Sequence, residues 1–406
     1  MTDAQGEVVR VGEAGAADAF QEPAEGETAG RMAVTRPSTA YQRYMESQGI
    51  PIYEGPGFHD VRELDLAPWE RLGCRGAFLV PDGTLDLLGI HVMEIAPEQA
   101  TNPDCHLYEE KYFVLEGDGV TELWQEEGDR RQLFEWQAGS LFAIPINTTF
   151  QIVNAGTEPV ILIVGNTAPV VLNLFENEDF VFNNGYRFNE RYNAEREAYV
   201  PDFELRKTPH LGRAAWRTNI IPDIVNRELP RDNQRSPGYR RIEPLMAGGN
   251  FTCFIGDNPA GQYSKAHAHP PRAVLVCIKG KGYTYNWPTA CGTTPWQDGR
   301  ADEVERVDYV AGGLVAAAPG GGDWFHQHFP TGPEGLRQLV FIGGLPNIQY
   351  QEFSARRLRK TWMNADIEQG GTSISYRSED RHVREELKRV LAEDGVEFRM
   401  PADLYE

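Results

Sequence analysis

Short apolar runs alternate with turn residues along most of the chain. The runs LLGIHVMEIAP, KYFVLEGDGVTELW, GSLFAIP, TFQIVNAG and VILIVGN are separated by Gly, Pro, Asp and Asn, and a second series follows with NFTCFIGDNPAG, AVLVCIKGKGYTYNW, GGLVAAAP and LRQLVFIGG. Alternation of this kind is typical of antiparallel β-strands. The pattern therefore predicts an all-β fold.

The two series match each other as an internal repeat. Residues 106–119 read HLYEEKYFVLEGDG and residues 269–282 read HPPRAVLVCIKGKG, so that His aligns with His and GDG with GKG at an offset of 163. Residues 139–145 and 313–319 share a second spacing, a Gly followed by five residues and a Pro. Such self-similarity predicts two tandem β-barrels that arose by duplication.

The segments around the repeats complete the predicted organisation. Residues 1–37 are rich in Ala, Gly and Glu with few large apolar groups, which predicts a disordered tail; whether Met32 is the true start stays open. Helical spacing predicts a short helix after Ser38 and another in the C-terminal extension. The expected boundaries are 38–170 for the N-terminal barrel, 171–235 for a connecting segment, 236–350 for the C-terminal barrel and 351–406 for the extension.

Charge and cysteine usage exclude several classes of partner. The 406 residues carry a formal charge of -21, which repels phosphate backbones and anionic lipid, so no nucleic-acid or membrane partner is expected. No apolar run approaches the roughly 20 residues that cross a bilayer. The five cysteines are odd in number and lack CxxC spacing, which favours a reducing cytoplasm over a disulfide framework.

Histidines carry the candidate chemistry. His267 and His269 are separated by one residue, so in a strand both imidazoles leave the same face, and His326 and His328 repeat this spacing in WFHQHFP. An isolated HxH is more often a pair of polar strand residues facing water. Here four of the nine histidines fall in two segments that adjoin the repeated Gly and Pro turns. This placement favours a metal site that would take Fe, Cu, Zn or Ni.

These segments resemble the two motifs of the cupins, and the chain as a whole resembles a bicupin over roughly residues 85–345. The second repeat fits the first motif at Gly261, His267, His269 and Gly280, and the second motif at Gly313, Pro319 and His326. Two departures stand out in the second motif: residues 320–322 lengthen the loop, and Pro330 replaces the usual Asn. The resemblance implies double-stranded β-helix barrels, with His267, His269 and His326 as metal ligands.

The usual Glu ligand of the first motif is replaced by Ala273. In this the second repeat resembles the gentisate and hydroxynaphthoate dioxygenases, which bind Fe(II) through three histidines. The resemblance implies Fe(II), with Mn, Ni, Cu or Zn as alternatives, and a small-molecule substrate with O2. It also implies that His328 supports the ligands or faces the substrate.

In the first repeat the same comparison gives Asp104, His106 and Glu110, while Phe150 occupies the position of the second-motif histidine. A phenyl ring cannot bind a metal. We therefore expect a structural barrel, although whether His106 and Glu110 retain a weak metal site stays open.

Several side chains near the predicted metal are candidates for a substrate pocket, because binding sites are mostly apolar with a few placed polar groups. They are Gln262, Tyr283, Tyr285, Trp287 and Trp324. The same rings are equally compatible with a barrel core. Arg272, together with His328, is a candidate catalytic residue, and Arg272 and Arg337 are candidate anchors for a substrate carboxylate.

Three functions stay open on this evidence. The leading hypothesis is a non-haem Fe(II) dioxygenase that acts on a small hydroxylated aromatic acid or a similar chelating substrate. The second is a metal-dependent decarboxylase, isomerase or lyase, and the third is a binding bicupin without catalysis. Association into a homo-oligomer is also left open.

Overall fold

The computed structural model describes residues 38–84, 86–126, 128, 130–208, 213–232, 235–269, 272–319, 324–343 and 365–406. The tail predicted over 1–37 and the domain boundary predicted at 350 lie outside these residues. Residues 40–406 form one compact unit. Among the described helices, none has the length and apolar character that a membrane crossing requires.

Strands dominate the described structure, as the apolar pattern predicts. The first half contains β1 (Ile52–Gly55), β2 (Gly57–Phe58), β3 (Ala67–Trp69), β4 (Cys74–Pro81), β5 (Gly89–Ile95), β6 (Glu110–Glu116), β7 (Asp118–Trp124), β8 (Gln132–Gln137), β9 (Leu141–Ile144), β10 (Thr149–Asn154) and β11 (Val160–Asn166). The remainder contains β12 (Arg206–Lys207), β13 (Ala214–Arg217), β14 (Ile220–Ile221), β15 (Arg240–Leu245), β16 (Thr252–Asn258), β17 (His267–Ala268), β18 (Ala273–Pro288), β19 (Glu305–Val310), β20 (Leu314–Ala317), β21 (Trp324–Pro330) and β22 (Leu336–Ile342).

Helices are few in the part of the chain that the structure describes. They are α1 (Ala40–Ser47), α2 (Ala168–Phe175), α3 (Glu178–Phe182) and α4 (Arg381–Glu393), with short 3-10 turns at Val61–Glu63, Arg196–Tyr199, Thr289–Cys291, Ala301–Glu303, Ile367–Gln369 and Ala402–Tyr405. The helices α1 and α4 confirm the two that the sequence predicts. Asp380 caps α4 by accepting a hydrogen bond from the His382 backbone N–H.

The described strands form three sheets, which differs from the expectation of two separately closed barrels. The first sheet has the order β1-β4-β5-β11-β6-β9-β14 with β3 beside β4, and a small sheet has the order β10-β7-β8. The third sheet has the order β12-β13-β15-β16-β22-β18-β20-β2, and β17, β19 and β21 attach to it. Two short strands pair with strands of the other half of the chain. The strand β2 of the first half pairs with β20, and β14 of the second half pairs with β9.

The internal repeat is visible in the strand order. The path β5-β11-β6-β9 in the first sheet has the same connectivity as β16-β22-β18-β20 in the third. Glu110 begins β6 and Ala273 begins β18, so these strands start at the offset that the sequence repeat shows.

An apolar core joins the two large sheets. Its buried members include Ile90, Val92 and Phe113 from the first sheet, and Ile255 and Phe341 from the third. The strand β11 approaches closely here, because a Cβ on Gly165 would lie 2.7 Å from the Phe341 ring. Only glycine permits this approach without a shift of the backbone.

Candidate metal centre

Three histidines converge in the second half of the chain. His267, His269 and His326 each offer one ring nitrogen, and these nitrogens all lie within 4.8 Å of one another. The ring centroid of His326 lies 4.1 Å from that of His267 and 4.6 Å from that of His269. No other group of three His, Cys, Asp or Glu in the described residues meets this geometry.

The strand β17 brings the first two histidines to the third. His267 pairs with His326 of β21 in antiparallel register. On its other side β17 meets the C-terminal extension, where the Ala268 N–H donates to the Thr372 carbonyl (3.1 Å) and the Ile374 N–H donates to the Ala266 carbonyl (2.8 Å). The extension therefore fixes the position of the histidine-bearing strand, a role that the sequence did not indicate.

Hydrogen bonding prepares these rings for coordination. His267 Nδ1 lies 3.1 Å from the Lys265 carbonyl oxygen, so this nitrogen carries the proton and Nε2 presents a lone pair. His267 Nε2 is buried with no hydrogen-bond partner among the described residues, and so is His326 Nδ1. Buried ring nitrogens without partners are costly unless a ligand satisfies them, so the residues present fit a metal ion.

The charge state of the rings agrees with this fit. Burial lowers the pKa of His267 well below its usual value, and the positive charge of Arg235 acts in the same direction. Burial and the neighbouring imidazoles do the same to the pKa of His326. Both rings are thus neutral at neutral pH, which is the form that binds metals.

His328 lies beside this group but belongs to a hydrogen-bonded chain. Its Nδ1 is 2.7 Å from Thr284 Oγ1, which is 2.9 Å from the Tyr309 hydroxyl, and Gln338 Nε2 donates to the same hydroxyl over 2.9 Å. Burial, followed by the charge of Arg235, lowers the pKa of His328 to about 3. The ring centroids of His326 and His328 are 5.4 Å apart.

The strand register shows which residues share the histidine face. Thr284 lies opposite His328 and Asn286 lies opposite His326 in the β18–β21 ladder. Directly paired residues point to the same side of a sheet. Asn286 is fully buried, and neither atom of its side-chain amide has a hydrogen-bond partner among the described residues.

By the same alternation, the three aromatic residues of β18 lie on the other face of the sheet from the histidines. Tyr283, Tyr285 and Trp287 point to the opposite side of the sheet, because they pair with Phe329, Gln327 and Phe325. They pack in a cluster with the apolar side of α4, whose buried members are Val383, Leu387 and Leu391. These three rings are core, one of the two readings that the sequence allowed.

Two further candidates are engaged elsewhere. Arg337 Nη2 donates to Asp257 Oδ2 over 2.6 Å, and its Nη1 donates to the carbonyl oxygens of Ile224, Val225 and Arg227. It therefore anchors the connecting segment, and its role as a substrate anchor stays a prediction. Gln262 Nε2 donates to the Arg399 carbonyl over 3.2 Å, so this side chain reaches the C-terminal tail and not the histidines.

The remaining two candidates lie near the histidines along the chain. Trp324 pairs with Pro288, two positions from the Asn286–His326 pair, and so shares the histidine face with partial exposure. Arg272 is buried and has a φ of 117°, a backbone conformation that non-glycine residues rarely adopt. A catalytic role for Arg272 stays a prediction.

Arg235 is the residue that motif reasoning missed. It lies in the segment before β15, and its charge acts on His267, His326 and His328. Burial lowers the pKa of Arg235 itself to about 10. No local pattern marks this position, because Arg235 lies outside the segments that carry the histidines.

The equivalent place in the first half is a small cavity whose charged side chains are held in ion pairs. Asp104 forms a β-bridge with Phe150, as His267 does with His326, but Arg71 binds the Asp104 carboxylate (Nη1 to Oδ2, 3.1 Å). His106 Nε2 lies 3.2 Å from Glu110 Oε2, and its Nδ1 lies 2.9 Å from the Tyr108 carbonyl. Both nitrogens of this imidazole are occupied.

In comparisons with known proteins, this chain is similar to solved structures only. No protein-family model and no curated protein matches the chain. A mutant of oxalate decarboxylase from Bacillus subtilis is similar at 12% identity over 71% of this chain and 77% of that chain, with a TM-score of 0.44. Vicilin from hazelnut, Corylus avellana, is similar at 12% identity over 71% and 86% of the two chains, with a TM-score of 0.43. Similarities of this extent carry no functional conclusion.

Proposed function

We propose that the chain is a metal-dependent dioxygenase with one metal-binding site, formed by His267, His269 and His326. The observation that carries the proposal is the convergence of three ring nitrogens within 4.8 Å of one another. Two rings of this group present buried nitrogens that have no hydrogen-bond partner in the part of the chain that the structure describes. Metal coordination would satisfy both.

The three donors favour a divalent ion whose charge no ligand carboxylate offsets. All three donors are imidazoles, and Ala273 stands where the cupin motif carries a carboxylate. A three-ligand set leaves coordination positions for other molecules. Fe(II) bound there would supply those open positions and the redox chemistry for O2, and Mn, Ni, Cu or Zn would fit the same donors.

The surrounding residues would control water and protons. His267 and His326 are at most 2% exposed, so bulk water has little access to their side of the centre. The chain from His328 through Thr284 to Tyr309 holds a proton beside the cluster in a fixed orientation. With its pKa lowered to about 3, His328 stays neutral at neutral pH and would act as a hydrogen-bonding group and not as a general base.

We also propose that the two halves are tandem cupin domains, over residues 38–170 and 236–350. The shared strand order of β5-β11-β6-β9 and β16-β22-β18-β20 supports this division. In this proposal the first domain is structural, because its Asp104 and His106 are held in ion pairs and hydrogen bonds.

The test combines metal analysis with oxygen uptake. Purified protein is loaded anaerobically with Fe(II), analysed for metal content, and then screened against hydroxylated aromatic acids in an oxygen electrode. We expect about one equivalent of metal and substrate-dependent O2 consumption. Turnover by the Zn(II) form without O2 would replace the dioxygenase with a Lewis-acid reaction, and failure to bind any transition metal would favour a binding protein.

A further inference from the structure

The described part of the C-terminal extension, residues 365–406, binds the backbone that carries the first histidine of the candidate centre. His267 forms a β-bridge with Ser373 on one edge of β17 and pairs with His326 of β21 on the other edge. Backbone hydrogen bonds from the extension to the residues on either side of His267 flank this bridge. The two-residue strand β17 is therefore held between β21 and the extension.

Ser373 lies on the same face of the sheet as the histidines. Paired residues point to the same side of a sheet, so Ser373 points to the same side as His267. The ladders of β17 with β21 and of β21 with β18 continue this row through His326 and Asn286. All four side chains are buried. The extension therefore supplies part of the wall around the candidate centre.

The extension also binds the loop that precedes β17. The Arg399 N–H donates a hydrogen bond to the Gly261 carbonyl over 2.8 Å. The Tyr376 hydroxyl donates to the Tyr263 carbonyl over 2.8 Å, and the Tyr263 hydroxyl donates to the Glu379 carboxylate. The position of this loop therefore depends on the extension.

Asp366 of the extension reaches the His267 ring through one residue. Lys265 Nζ donates to both oxygens of the Asp366 carboxylate, over 2.7 Å to Oδ1 and 2.9 Å to Oδ2. The carbonyl oxygen of the same Lys265 lies 3.1 Å from His267 Nδ1. The ion pair therefore restrains the backbone group that orients the His267 ring and selects its tautomer.

Asp366 and Ser373 belong to one local unit of the extension. They form a β-bridge with each other, and the Ile367 N–H donates to the Ser373 carbonyl over 2.8 Å. The residue that holds Lys265 and the residue that pairs with His267 are therefore joined directly. Displacement of this unit would remove both supports of the histidine at once.

A metal centre is sensitive to such supports, because its ligands must be held close to the productive geometry by the residues behind them. The strand β17 is shorter than most strands of folded proteins, so one ladder gives it little stability of its own. Its position is therefore set by β21 on one edge and by the extension on the other.

We propose that docking of the C-terminal extension and metal binding at the three histidines are coupled, with Asp366 as a positioning residue that acts on His267 through Lys265. The inference deepens the proposed function, on which it rests for the metal site, and adds a means of regulating that site. Release of the extension lowers the metal affinity, and bound metal holds the extension in place. Reciprocity of linked equilibria makes the two effects equal in free energy.

The first test measures the Zn(II) affinity of the full-length protein by competition with a chromophoric chelator. Asp366→Asn is expected to weaken Zn(II) binding at least about fivefold, the lower end of typical couplings between sites. Asp366→Glu is expected to restore most of the affinity, because it keeps the charge that Lys265 binds. Asp403→Asn is the matched control, since it removes an exposed carboxylate of the same extension. Equal affinity in the two asparagine variants, both folded by circular dichroism, would overturn the proposal.

Hydrogen exchange read by mass spectrometry tests the reverse direction of the coupling. A metal ion that binds only the docked form slows the opening of the extension as its concentration rises above the dissociation constant. Saturating Zn(II) is expected to slow exchange at least about fivefold in peptides that cover residues 366–376, and to leave peptides of β8 unchanged. The same exchange of residues 366–376 with and without Zn(II) would contradict the coupling.

Nitrogen NMR of the metal-free protein gives a readout that a merely structural ion pair would not change. In the wild type the His267 proton is expected on Nδ1, where it faces the Lys265 carbonyl. Asp366→Asn is expected to give a mixture of both tautomers. An unchanged His267 spectrum in this variant would refute the positioning role of Asp366.

The outcomes separate this inference from the proposed function. Wild-type protein that binds metal but never consumes O2 would refute the dioxygenase and leave the coupling standing. Unchanged affinity in Asp366→Asn would refute the coupling alone. Wild-type protein that binds no Zn(II) would refute both.

Discussion

His267 and His326 face each other across the β17–β21 ladder, with ring centroids 4.1 Å apart. The two residues are 59 positions apart in the chain, so their proximity depends on the complete second half of the fold. His269 joins them from the other end of the same short strand segment. The candidate site is therefore a product of strand pairing and not of local sequence.

Loss of one ligand tests the metal assignment. His267→Ala and His326→Ala should each lower the metal affinity by at least about tenfold. Loss of a residue that only supports a metal ligand already lowers the affinity by about this factor, and these variants remove the ligand itself. Metal content after dialysis measures this effect. His59→Ala serves as the control, since His59 is an exposed residue paired with Glu63. Equal loss of metal in all three variants would contradict the assignment.

His328→Ala separates a supporting role from ligation. His328 Nδ1 is bound to Thr284 Oγ1, and His328 is not a member of the three-histidine group. We expect the variant to keep its metal and to change the rate of turnover. If His328→Ala loses the metal while His326→Ala retains it, the third ligand has been assigned to the wrong histidine.

The sequence predicts the three histidines because simple alternation governs them. It does not predict the inner face of β18, since a bulge between Cys277 and Lys279 changes which alternate residues face inward. Before the bulge Ala273 and Leu275 belong to the inner cluster, and after it Thr284 and Asn286 face the histidines. A bulge inserts one residue without a clear sequence signal, so the alternation could not decide which side of the sheet the tyrosines of β18 face.

Residues outside the motifs were also beyond prediction, for a different reason. The charge of Arg235 acts on His267 from outside the motifs, and the extension meets β17 through Thr372 and Ile374. Neither contact has a periodic pattern. The strands themselves were predictable, since their alternation is local.

The buried carboxyl group of Glu379 should make the folded protein less stable as the pH rises. Burial raises its pKa to about 7, while the Tyr263 hydroxyl donates to its carboxylate. The folded chain holds the proton up to about pH 7, whereas the unfolded chain releases it near the ordinary glutamate pKa of 4.5. Folding stability therefore falls as the pH rises through this window, on the order of 1–3 kcal/mol.

Glu379→Gln checks this directly, because glutamine stays neutral in the same place. The variant should melt at a higher temperature than the wild type at pH 8 and at a similar temperature at pH 5. Scanning calorimetry at both values measures the difference. A wild-type stability that stays flat from pH 5 to pH 8 would refute the role of Glu379.

The carboxyl group of Glu110 should give folding stability the opposite dependence on pH in the acidic range. Burial alone would raise its pKa, but the adjacent His106 and the hydrogen bonds to the carboxylate lower it to about 2. The folded chain then binds fewer protons than the unfolded chain between about pH 2 and the ordinary glutamate pKa of 4.5. This stabilisation is present above pH 4.5 and is lost as the pH falls through that window.

Glu110→Gln should lower the stability at pH 7 by about 1–3 kcal/mol, because it removes a charge-assisted hydrogen bond from a buried pair. Its melting temperature should also change less between pH 5 and pH 3 than that of the wild type. Glu135→Gln, on the exposed side of β8, is the matched control. An acid dependence that is the same in both variants would contradict the prediction.

X-ray absorption at the metal edge tests the central claim most directly. In the Zn(II)-loaded protein, the extended fine structure should show three imidazole ligands at about 2.0–2.1 Å, with a lighter remaining shell from small molecules. The imidazole count should fall to two in His269→Ala, whose ring is the most exposed of the three. A spectrum without imidazole scattering, or one unchanged by that substitution, would contradict the three-histidine centre.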